Sequence, residues 1–479
     1  MVFSIQNVKP IESVNISLGR LAIVCGLNNR GKTYLTYSLY ALLDYMFRER
    51  RYVLSEDQRT SLQASQQVVI DLDDAVNRLC EPLSNRDVAF FYRDLPKLLA
   101  RTKQSVEELR VCLTMTEEEK NEIREKINKA TFNYTMTIGQ RAELQFKKEA
   151  NTHIAHCVVV GLRAGAQECF TDRGLSWDQA VSINVEWMVT TVVRRRLPLP
   201  FFITSERTGI SIFREEFNIL RALALEGSGK QDLIQRFRDR LSFESYPLPI
   251  RREIEFSLRC ADMFKKESVL MDRHPKIMEE FAGIVGGQYC IDENSGAVLF
   301  QPQGSETRLS LKECSSSVRA LCSLYFFLRL EARPGGVLMI DEPEQNLHPE
   351  SQRRIGRFLV MLSNLGLRVF VTTHSDYIIR EVNSLVVIKA LPVLARNRLM
   401  QEYGLDDSKL PDEKCTNCYV INRGTEEEIR PGVETGFAVS SFDNTISAYN
   451  NLFVRVRDEI DRAHNNPEGR DGGCNVTCS

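Results

Sequence analysis

Eight residues near the start of the chain, Gly26 to Thr33, have the types and spacing of a phosphate-binding loop. They read GLNNRGKT and match G-x-x-x-x-G-K-[ST] between an apolar run and a helical pattern. Glycines let the backbone wrap tightly, so that successive N–H groups and the positive end of the next helix face phosphate oxygens. The pattern predicts that Lys32 reaches the β- and γ-phosphates of a nucleotide and that Thr33 ligates Mg²⁺. A chance glycine-rich turn is the alternative. The other predicted nucleotide contacts are Gly26, Asn28, Asn29, Arg30, Gly31 and Tyr34.

Two adjacent carboxylates end a second apolar run, about 300 residues further along the chain. The run VLMI is typical of a buried strand, and Asp341, Glu342 and Pro343 follow it directly. In this position Asp341 can hold Mg²⁺ through water, and Glu342 can orient or deprotonate an attacking water. The alternative is a strand that ends in ordinary surface acids.

A third apolar run, in RVFVTTHSD, places His374 just beyond the end of another predicted buried strand. A lone histidine is more often structural than catalytic. At the end of a strand, beside the two motifs above, it has the position expected of a group that senses a γ-phosphate.

The order GLNNRGKT, SSS, DEPEQNLHP and TTHS resembles that of the ABC-type ATPase head, and more narrowly the heads of the overcoming-lysogenization-defect (OLD), RecF and SMC-like groups. The resemblance covers residues 1–45 and about 295–390, and the middle only loosely, through ITSERTGI. It implies a homodimer, or a higher even-numbered homo-oligomer, in which two heads enclose two ATP molecules with Mg²⁺. Each site would use the P-loop of one chain and a signature helix of the other.

Carried over by position, Lys32 and Thr33 would be the Walker A pair, Asp341 and Glu342 the Walker B pair, and His374 the switch histidine. The stretch EQNLHP (344–349) would be the D-loop at the dimer seam. The signature would fall at the start of a predicted helix, where hydroxyls and free N–H groups can meet a γ-phosphate across the interface. The candidate signature residues are Ser315, Ser316 and Ser317.

The sequence departs from the family pattern in the signature, since the family usually places a glycine where Ser317 or a neighbour stands. A plain helix N-cap is the other interpretation of the serine triplet. The candidates for the Q-loop glutamine are Gln63, Gln66 and Gln67.

These patterns predict an α/β fold, and with the resemblance a P-loop NTPase of ABC-ATPase type with a large, mainly helical insertion. Residues 1–48 would form the N-terminal part of the head, and 49–290 the insertion. Residues 291–392 would form the C-terminal part of the head, 393–465 an accessory region and 466–479 a disordered tail.

Composition narrows the environment in which we expect the chain to work. The net charge of −2 does not indicate a bulk nucleic-acid binder, although a local basic face stays open. No run of about 18 apolar residues predicts a membrane span, and the N-terminus lacks the pattern of a signal peptide. Thirteen scattered cysteines favour a reducing cytosol. We therefore expect a cytoplasmic protein with no membrane contact.

Four smaller constellations leave alternatives open. Glu206 and Arg207, in SERTG, could couple the nucleotide state to the insertion, or form a surface ion pair. The run Arg194–Arg196 could contact phosphates of DNA or RNA, or be a solvated face. The C-x-x-C at 415–418 could bind zinc only with further ligands, for which Cys474 and Cys478 are candidates. The run Asp71-Leu-Asp73 faintly resembles the paired aspartates of Toprim nucleases.

The leading functional hypothesis is an ATPase switch or sensor subunit of an antiphage defence complex. It would control a separate nuclease or toxin effector, as Septu-like ATPases do with an HNH partner and PARIS-like ATPases with a Toprim partner. The first alternative is a RecF- or SMC-like ATPase of DNA repair or DNA tethering. The second is an OLD-like nuclease with an unrecognised active site of its own in residues 50–280.

Overall fold

The computed structural model describes most of the chain. The described residues are 1–8, 10–83, 85–101, 108–138, 142–160, 176–217, 246–264, 267–292, 295–412, 415–422, 424–429, 437 and 450–458.

Strands are numbered in chain order. They are β1 (Val2–Val8), β2 (Ile11–Ser17), β3 (Leu21–Cys25), β4 (Gln67–Asp71), β5 (Arg110–Thr114), β6 (Phe132–Ile138), β7 (Ala142–Lys148), β8 (Ile154–Val160), β9 (Pro200–Ile203), β10 (Gly287–Ile291), β11 (Val298–Pro302), β12 (Leu309–Ser310), β13 (Val337–Asp341), β14 (Arg368–Thr372), β15 (Thr416–Asn422) and β16 (Thr425–Ile429).

Helices follow the same rule, with a short 3₁₀ turn at Asp407–Lys409 left unnumbered. They are α1 (Lys32–Asp44), which continues as a π-helical turn (Tyr45–Glu49), α2 (Glu56–Ser65), α3 (Leu72–Cys80), α4 (Asn85–Leu98), α5 (Glu117–Asn128), α6 (Trp177–Arg194), α7 (Arg207–Ile212), α8 (Leu248–Met263), α9 (Val269–Arg273), α10 (Lys276–Val285), α11 (Ser316–Leu330), α12 (Pro349–Asn364), α13 (Asp376–Ala390) and α14 (Val393–Glu402).

A nine-stranded mixed sheet forms the centre of the fold, in the spatial order β5-β1-β2-β16-β15-β3-β14-β13-β9. The five strands from β15 to β9 run parallel to one another, and β1 pairs antiparallel with β2 and β5. Parallel strands need both faces covered, and β3, β13 and β9 are accordingly buried along their whole length.

Two hydrophobic cores lie on the two faces of this sheet. Successive side chains of a strand point to opposite faces, and β3 shows this directly. Ala22 and Val24 join one core, with Leu35 of α1, whereas Ile23 and Cys25 join the other, with Leu359 of α12. The predicted α/β fold is confirmed, and β3, the strand before the predicted P-loop, lies inside the central sheet.

The insertion contains more helix than strand in its described part, but it also holds a sheet that the sequence analysis missed. β4, β8, β7 and β6 form a four-stranded antiparallel sheet in that order. Its strands alternate between buried and exposed residues, as β7 shows. A separate three-stranded sheet, β10-β11-β12, lies further along the chain.

The division at residue 393 needs a correction. Residues 416–429 are not accessory to the head, because β15 pairs in parallel with β3, and β16 connects β15 to β2. Strands from near both ends of the chain therefore lie side by side inside the central sheet. The predicted disordered tail, 466–479, lies outside the described residues.

Candidate active site

The carboxyl ends of four adjacent parallel strands bring the predicted motifs to one edge of the central sheet. β3 leads into Gly26, β14 into His374, β13 into Glu342 and β9 into Thr204. In α/β sheets, ligands bind in the crevice outside the carboxyl ends of the strands. Motifs that lie about 300 residues apart in sequence thus meet through parallel pairing.

The loop between β3 and α1 needs its glycines. Gly26 has φ of +135° and Gly31 has φ of +94°. A Cβ on Gly26 would lie 2.7 Å from the carbonyl oxygen of Ile421, and one on Gly31 would lie 2.7 Å from the side chain of Ile11. Only glycine fits at both positions. Asn28 and Asn29 are exposed, and Arg30 is half-buried.

Lys32 is buried beneath this loop. Its ammonium donates hydrogen bonds to the carbonyl oxygens of Gly26, at 3.0 Å, and Leu27, at 2.8 Å. Burial lowers its pKa, and the carboxylates of Asp341 and Glu342 act in the opposite direction. The lysine is therefore held within the electrostatic reach of both acids. The next residue, Thr33, is exposed, while the half-buried ring of Tyr34 lies 3.6 Å from the guanidinium carbon of Arg101.

Asp341 ends β13 in a buried position. Burial raises the pKa of its carboxyl to about 6, and the hydroxyl of Thr372, which donates a hydrogen bond to it, acts against that rise. Thr372 is its register partner on β14. The arrangement holds one buried carboxylate at the sheet edge with a single neutral donor.

Glu342 has a left-handed backbone, with φ of +49°. Such a conformation costs a non-glycine residue on the order of 1–3 kcal/mol and is concentrated at functional sites. Its side chain is 40% exposed, and its carboxylate lies 3.9 Å from Nε2 of His374. Burial lowers the pKa of His374, as does the charge of Lys32, whereas Glu342 acts in the opposite direction. The neutral imidazole is thus favoured near neutral pH.

Glu344 fixes the backbone that carries His374. Its carboxylate accepts a hydrogen bond from the His374 amide at 2.6 Å and another from the Thr373 hydroxyl at 2.8 Å. The sequence analysis placed Glu344 only in the D-loop stretch. The only hint of this second role in the sequence was that Glu344 is a further carboxylate, two residues after Glu342.

Arg207 joins the Walker B strand to two other elements. It is 2% exposed, and the hydrogen bonds that it donates within the described residues all go to backbone carbonyls. Nη1 bonds to Thr204, at 3.0 Å, and to Asp341, at 2.8 Å. Nη2 bonds to Glu342 at 2.6 Å, and Nε to Ala320 of α11 at 3.0 Å. The guanidinium therefore fixes the backbone of both predicted Walker B acids. The burial of Arg207 excludes the surface ion pair, whereas the coupling role stays a prediction.

The neighbouring Glu206 makes a separate contact. Its carboxylate accepts a hydrogen bond from the Tyr37 hydroxyl, at 3.4 Å, on the helix that follows the P-loop. A few residues earlier, Thr204 donates through its amide, at 2.8 Å, and through its hydroxyl, at 2.7 Å, to the buried Glu253 of α8. The end of β9 is thereby tied to α1 and to α8.

The serine triplet begins α11 as predicted, but it does not meet the P-loop of its own chain through a hydrogen bond in the described part. Ser315 is the N-cap, and its hydroxyl accepts from the amide of Val318 at 3.4 Å. The hydroxyls of Ser315 and Ser317 lie 2.8 Å apart, and Ser316 is exposed.

Residues 192–380 match the family described as "AAA domain, putative AbiEii toxin, Type IV TA system". The vitamin B12 import ATP-binding protein BtuD of Escherichia coli (strain K12 / DH10B) is 22% identical over 222 residues, which cover 41% of this chain and 86% of BtuD. The same protein of Shigella boydii matches equally. Residues 192–380 therefore resemble an AAA domain, and the chain is similar to the ATP-binding subunit of an ABC-type importer. The matched range 192–380 includes the serine triplet and both predicted Walker B acids, but not the predicted P-loop.

Among solved structures, the comparison finds SMC heads. The SmcHead bound to the C-winged helix domain of ScpA gives a TM-score of 0.33 at 10% identity, covering 90% of this chain and 98% of that one. The SMC head domain from Thermotoga maritima gives 0.30, with the same identity and coverage.

The remaining predicted sites have structural explanations or stay open. Asp71 caps α3 by accepting from the amides of Asp73 and Asp74. The candidate Q-loop glutamines lie in α2, at its C-terminal end and at the start of β4, on the second sheet. Cys418 is buried in β15, and within the described ranges no group of three or more metal-ligating side chains is found. Cys474 and Cys478 lie outside those ranges. Likewise, no helix there combines the length and apolar character needed to cross a bilayer.

Proposed function

We propose that this chain binds and hydrolyses ATP at the edge of the central sheet. The observation that carries the proposal is the convergence of Lys32, Asp341, Glu342 and His374 at the carboxyl ends of three neighbouring strands, β3, β13 and β14. The ammonium of Lys32 lies within electrostatic reach of both acids, and Glu342 lies beside the imidazole. The ATP phosphates would lie along the P-loop, where Lys32 would exchange its two carbonyl partners for phosphate oxygens.

The residues present fit a magnesium ion. Asp341 offers a buried carboxylate whose charge is met by one neutral hydroxyl, and Thr33 offers an exposed hydroxyl at the start of α1. Oxygen donors of these kinds are those that Mg²⁺ prefers. We infer that Thr33 and Asp341 hold it. When bound, the ion neutralises charge on the β- and γ-phosphate oxygens.

Glu342 is the group we assign to the attacking water. It accepts a proton as the water oxygen bonds to the γ-phosphorus, and the bond from that phosphorus to the bridging oxygen of ADP breaks. Two hydrogen bonds fix its left-handed backbone. Its carbonyl accepts from Arg207, and its amide donates to the carbonyl of Thr372 at 3.0 Å. His374 lies beside it, held by Glu344, in a position to bond the γ-phosphate.

We further propose that the site is completed by a second copy of the chain. The exposed Ser316 and its neighbours begin a helix, so their hydroxyls and the free N–H groups of the first turn face outward. A γ-phosphate held by one chain would bond this helix start in the other. ATP would thus favour a closed homodimer or a higher even-numbered oligomer.

The role that we assign to this closure is that of a switch in an antiphage defence complex, with a separate nuclease or toxin effector. The matching family's description names a putative toxin of a type IV toxin–antitoxin system, which supports a place in such a system. A DNA-repair or DNA-tethering ATPase of the RecF or SMC-like kind is the second candidate, and the arginine cluster described below favours it. An OLD-like nuclease is the third, to be tested by metal-dependent cutting by the purified chain.

Affinity capture from native cells should decide between the first two roles. We expect the tagged Glu342→Gln chain, with Mg-ATP, to retain a stoichiometric nuclease or toxin, because the variant holds the closed state. Ser316→Arg is the matched control, since it should block closure and release the partner while leaving ATP on the monomer. Chromosomal DNA retained in place of a protein would contradict the switch role and favour the RecF-like one.

Arg207 gives a prediction for a group that does not touch ATP. Arg207→Lys keeps the charge but loses the planar fork that serves four carbonyls, so the backbone at Glu342 is released. We expect kcat to fall about tenfold or more, with little change in the KM for ATP. Steady-state ATPase kinetics with a thermal unfolding curve measure both.

The control is Arg214→Lys. Arg214 is also buried and donates to the carbonyls of Ser257 and Gly296, neither of which belongs to the segment of the predicted Walker B acids. It should lower the melting temperature with kcat preserved. If both variants lose stability alike and both keep kcat, Arg207 only supports the fold.

A further inference from the structure

Arginines crowd at the edge of the central sheet opposite to the P-loop. We name them the amino-edge cluster: Arg48, Arg51, Arg194, Arg195, Arg196 and Arg333. Arg196 and Arg333 lie just before β9 and β13, whose carboxyl ends carry the candidate active site. A strand of five residues is about 15 Å long, so the cluster and the nucleotide site occupy opposite edges of one sheet.

Backbone carbonyls hold these arginines in place. Arg333 donates to the carbonyls of Arg195, at 3.0 Å, and Leu197, at 2.9 Å. Arg48 donates to the carbonyl of Pro200 at 2.7 Å. Arg194 likewise donates to the carbonyl of Arg50 at 3.4 Å, and Arg196 to that of Val192 at 3.0 Å. A carbonyl orients a guanidinium but does not neutralise it, so the positive charge stays in place.

Acidic neighbours are few and already engaged. Glu49 pairs with Arg252 at 3.0 Å, and Glu331 lies 3.9 Å from Arg259. Arg48 itself lies 3.4 Å from Asp44, which Arg252 also contacts. Within the described residues, no ion pair is found for the other five members of the cluster.

The crowding also appears in the pKa of the half-buried members. Burial lowers the pKa of Arg333, and the charges of Arg48 and Arg196 lower it further, against Glu331. Burial likewise lowers the pKa of Arg194, with Arg51 and Arg48 acting in the same direction and Glu49 opposing. At both positions two neighbouring arginines lower the pKa, while one nearby glutamate opposes them.

The second sheet extends this surface. Arg195 donates to the hydroxyl of Tyr134 at 3.3 Å, and the guanidinium of Arg196 lies 4.6 Å from the ring centre of Phe132. The rings of Phe132 and Tyr134 are stacked, and Tyr134 is 36% exposed. Lys126, an exposed residue of α5, lies close to Gly335 beside the same edge. Positive charge thus runs from one sheet to the next, along an edge that also offers an aromatic face.

We propose that the amino-edge cluster binds the phosphate backbone of a nucleic acid without reading its sequence. Guanidinium groups bond phosphate oxygens in pairs, and the fixed positions of these groups reduce the entropy lost on binding. A ligand with one phosphate would meet only a fraction of the cluster, whereas a polyanion meets several arginines at once. The surface is distinct from the ATP site, so this proposal does not rest on nucleotide binding.

The test is fluorescence anisotropy of the full chain with labelled duplex DNA, single-stranded DNA and duplex RNA at several salt concentrations. Arg51 and Arg195 are exposed, so Arg51→Glu/Arg195→Glu should fold normally. We expect the double variant to bind at least about tenfold more weakly, with a slope of log K against log salt that is smaller by about 2. The tightest of the three probes identifies the natural ligand.

Two controls keep this outcome separate from that of the ATPase proposal. Lys276→Glu/Arg398→Glu makes the same change of charge at exposed positions of α10 and α14, and it should bind within about twofold of the unmodified chain. Lys32→Ala should bind nucleic acid as the unmodified chain does, even though its ATP affinity falls. Equal losses in the two double variants, or no binding to any probe at low salt, would overturn the proposal.

Discussion

The Glu342→Gln variant should bind ATP with the affinity of the unmodified chain and hydrolyse it at least about a hundredfold more slowly. A positioned general base contributes on the order of 10²–10⁴ in rate, and an amide cannot take the proton of the attacking water. Glutamine keeps the size of the side chain and the left-handed backbone, so the loop should be unchanged. Single-turnover hydrolysis and equilibrium binding of a fluorescent ATP analogue measure the two quantities.

The same variant should accumulate as a closed oligomer. Because ATP is held and not consumed, Mg-ATP should move it to a larger species in size-exclusion chromatography with light scattering. Glu350→Gln is the control, since Glu350 is an exposed glutamate in the first turn of α12, and it should hydrolyse ATP normally. Normal turnover by Glu342→Gln would remove Glu342 from the assigned role, and the search for the base would move to Glu344 or Glu206.

Site residues can be predicted from a sequence when the interactions that place them are local along the chain. The P-loop could be predicted because its strand, turn and helix are contiguous in sequence. Its glycines also meet local backbone requirements, such as the positive φ at Gly31. Asp341 and His374 could be predicted as site residues because each follows an apolar run. Parallel strands then bring their carboxyl ends together. Only the convergence of these elements needed the structure.

Other features had no local signal. β15 is an apolar run of the usual kind, but its pairing with β3 joins residues nearly 400 positions apart, which no pattern in either segment specifies. In β7, the charged residues Glu143, Lys147 and Lys148 concealed a period of two, although the alternation of burial is regular. Lys148 is buried and donates to three backbone carbonyls, so its charge gave a misleading impression of exposure.

Arg207 shows a third kind of limit. An arginine beside a glutamate in sequence suggests a surface ion pair, and here the two side chains make separate contacts. The guanidinium is buried and bonded to four carbonyls, which belong to its own segment and to two others. Carbonyl acceptors exist at every residue, so sequence does not reveal which of them an arginine will find.

The Lys32→Ala variant tests the other half of the site, and ATP affinity should fall by about 100-fold or more. A charge-assisted hydrogen bond contributes about 1.5–3 kcal/mol, so losing two phosphate contacts removes roughly 3 kcal/mol or more. The lysine already donates to Gly26 and Leu27, so the loop carbonyls also lose their donor. Titration calorimetry with a slowly hydrolysed ATP analogue measures the affinity.

Those two carbonyls belong to the loop itself, so the affinity could fall for either of two reasons. The loop becomes disordered, or the charge that binds phosphate is missing. Lys32→Arg separates the two causes. It keeps the cation, but it is too large for the buried position under the loop and should therefore disturb the loop. If the charge binds phosphate, the arginine variant should bind ATP more tightly than the alanine variant does. Lys276→Ala, at an exposed position, should change nothing. ATP affinity unchanged in Lys32→Ala would defeat the assignment of the P-loop, because no other buried ammonium of the described residues lies within reach of Asp341 and Glu342.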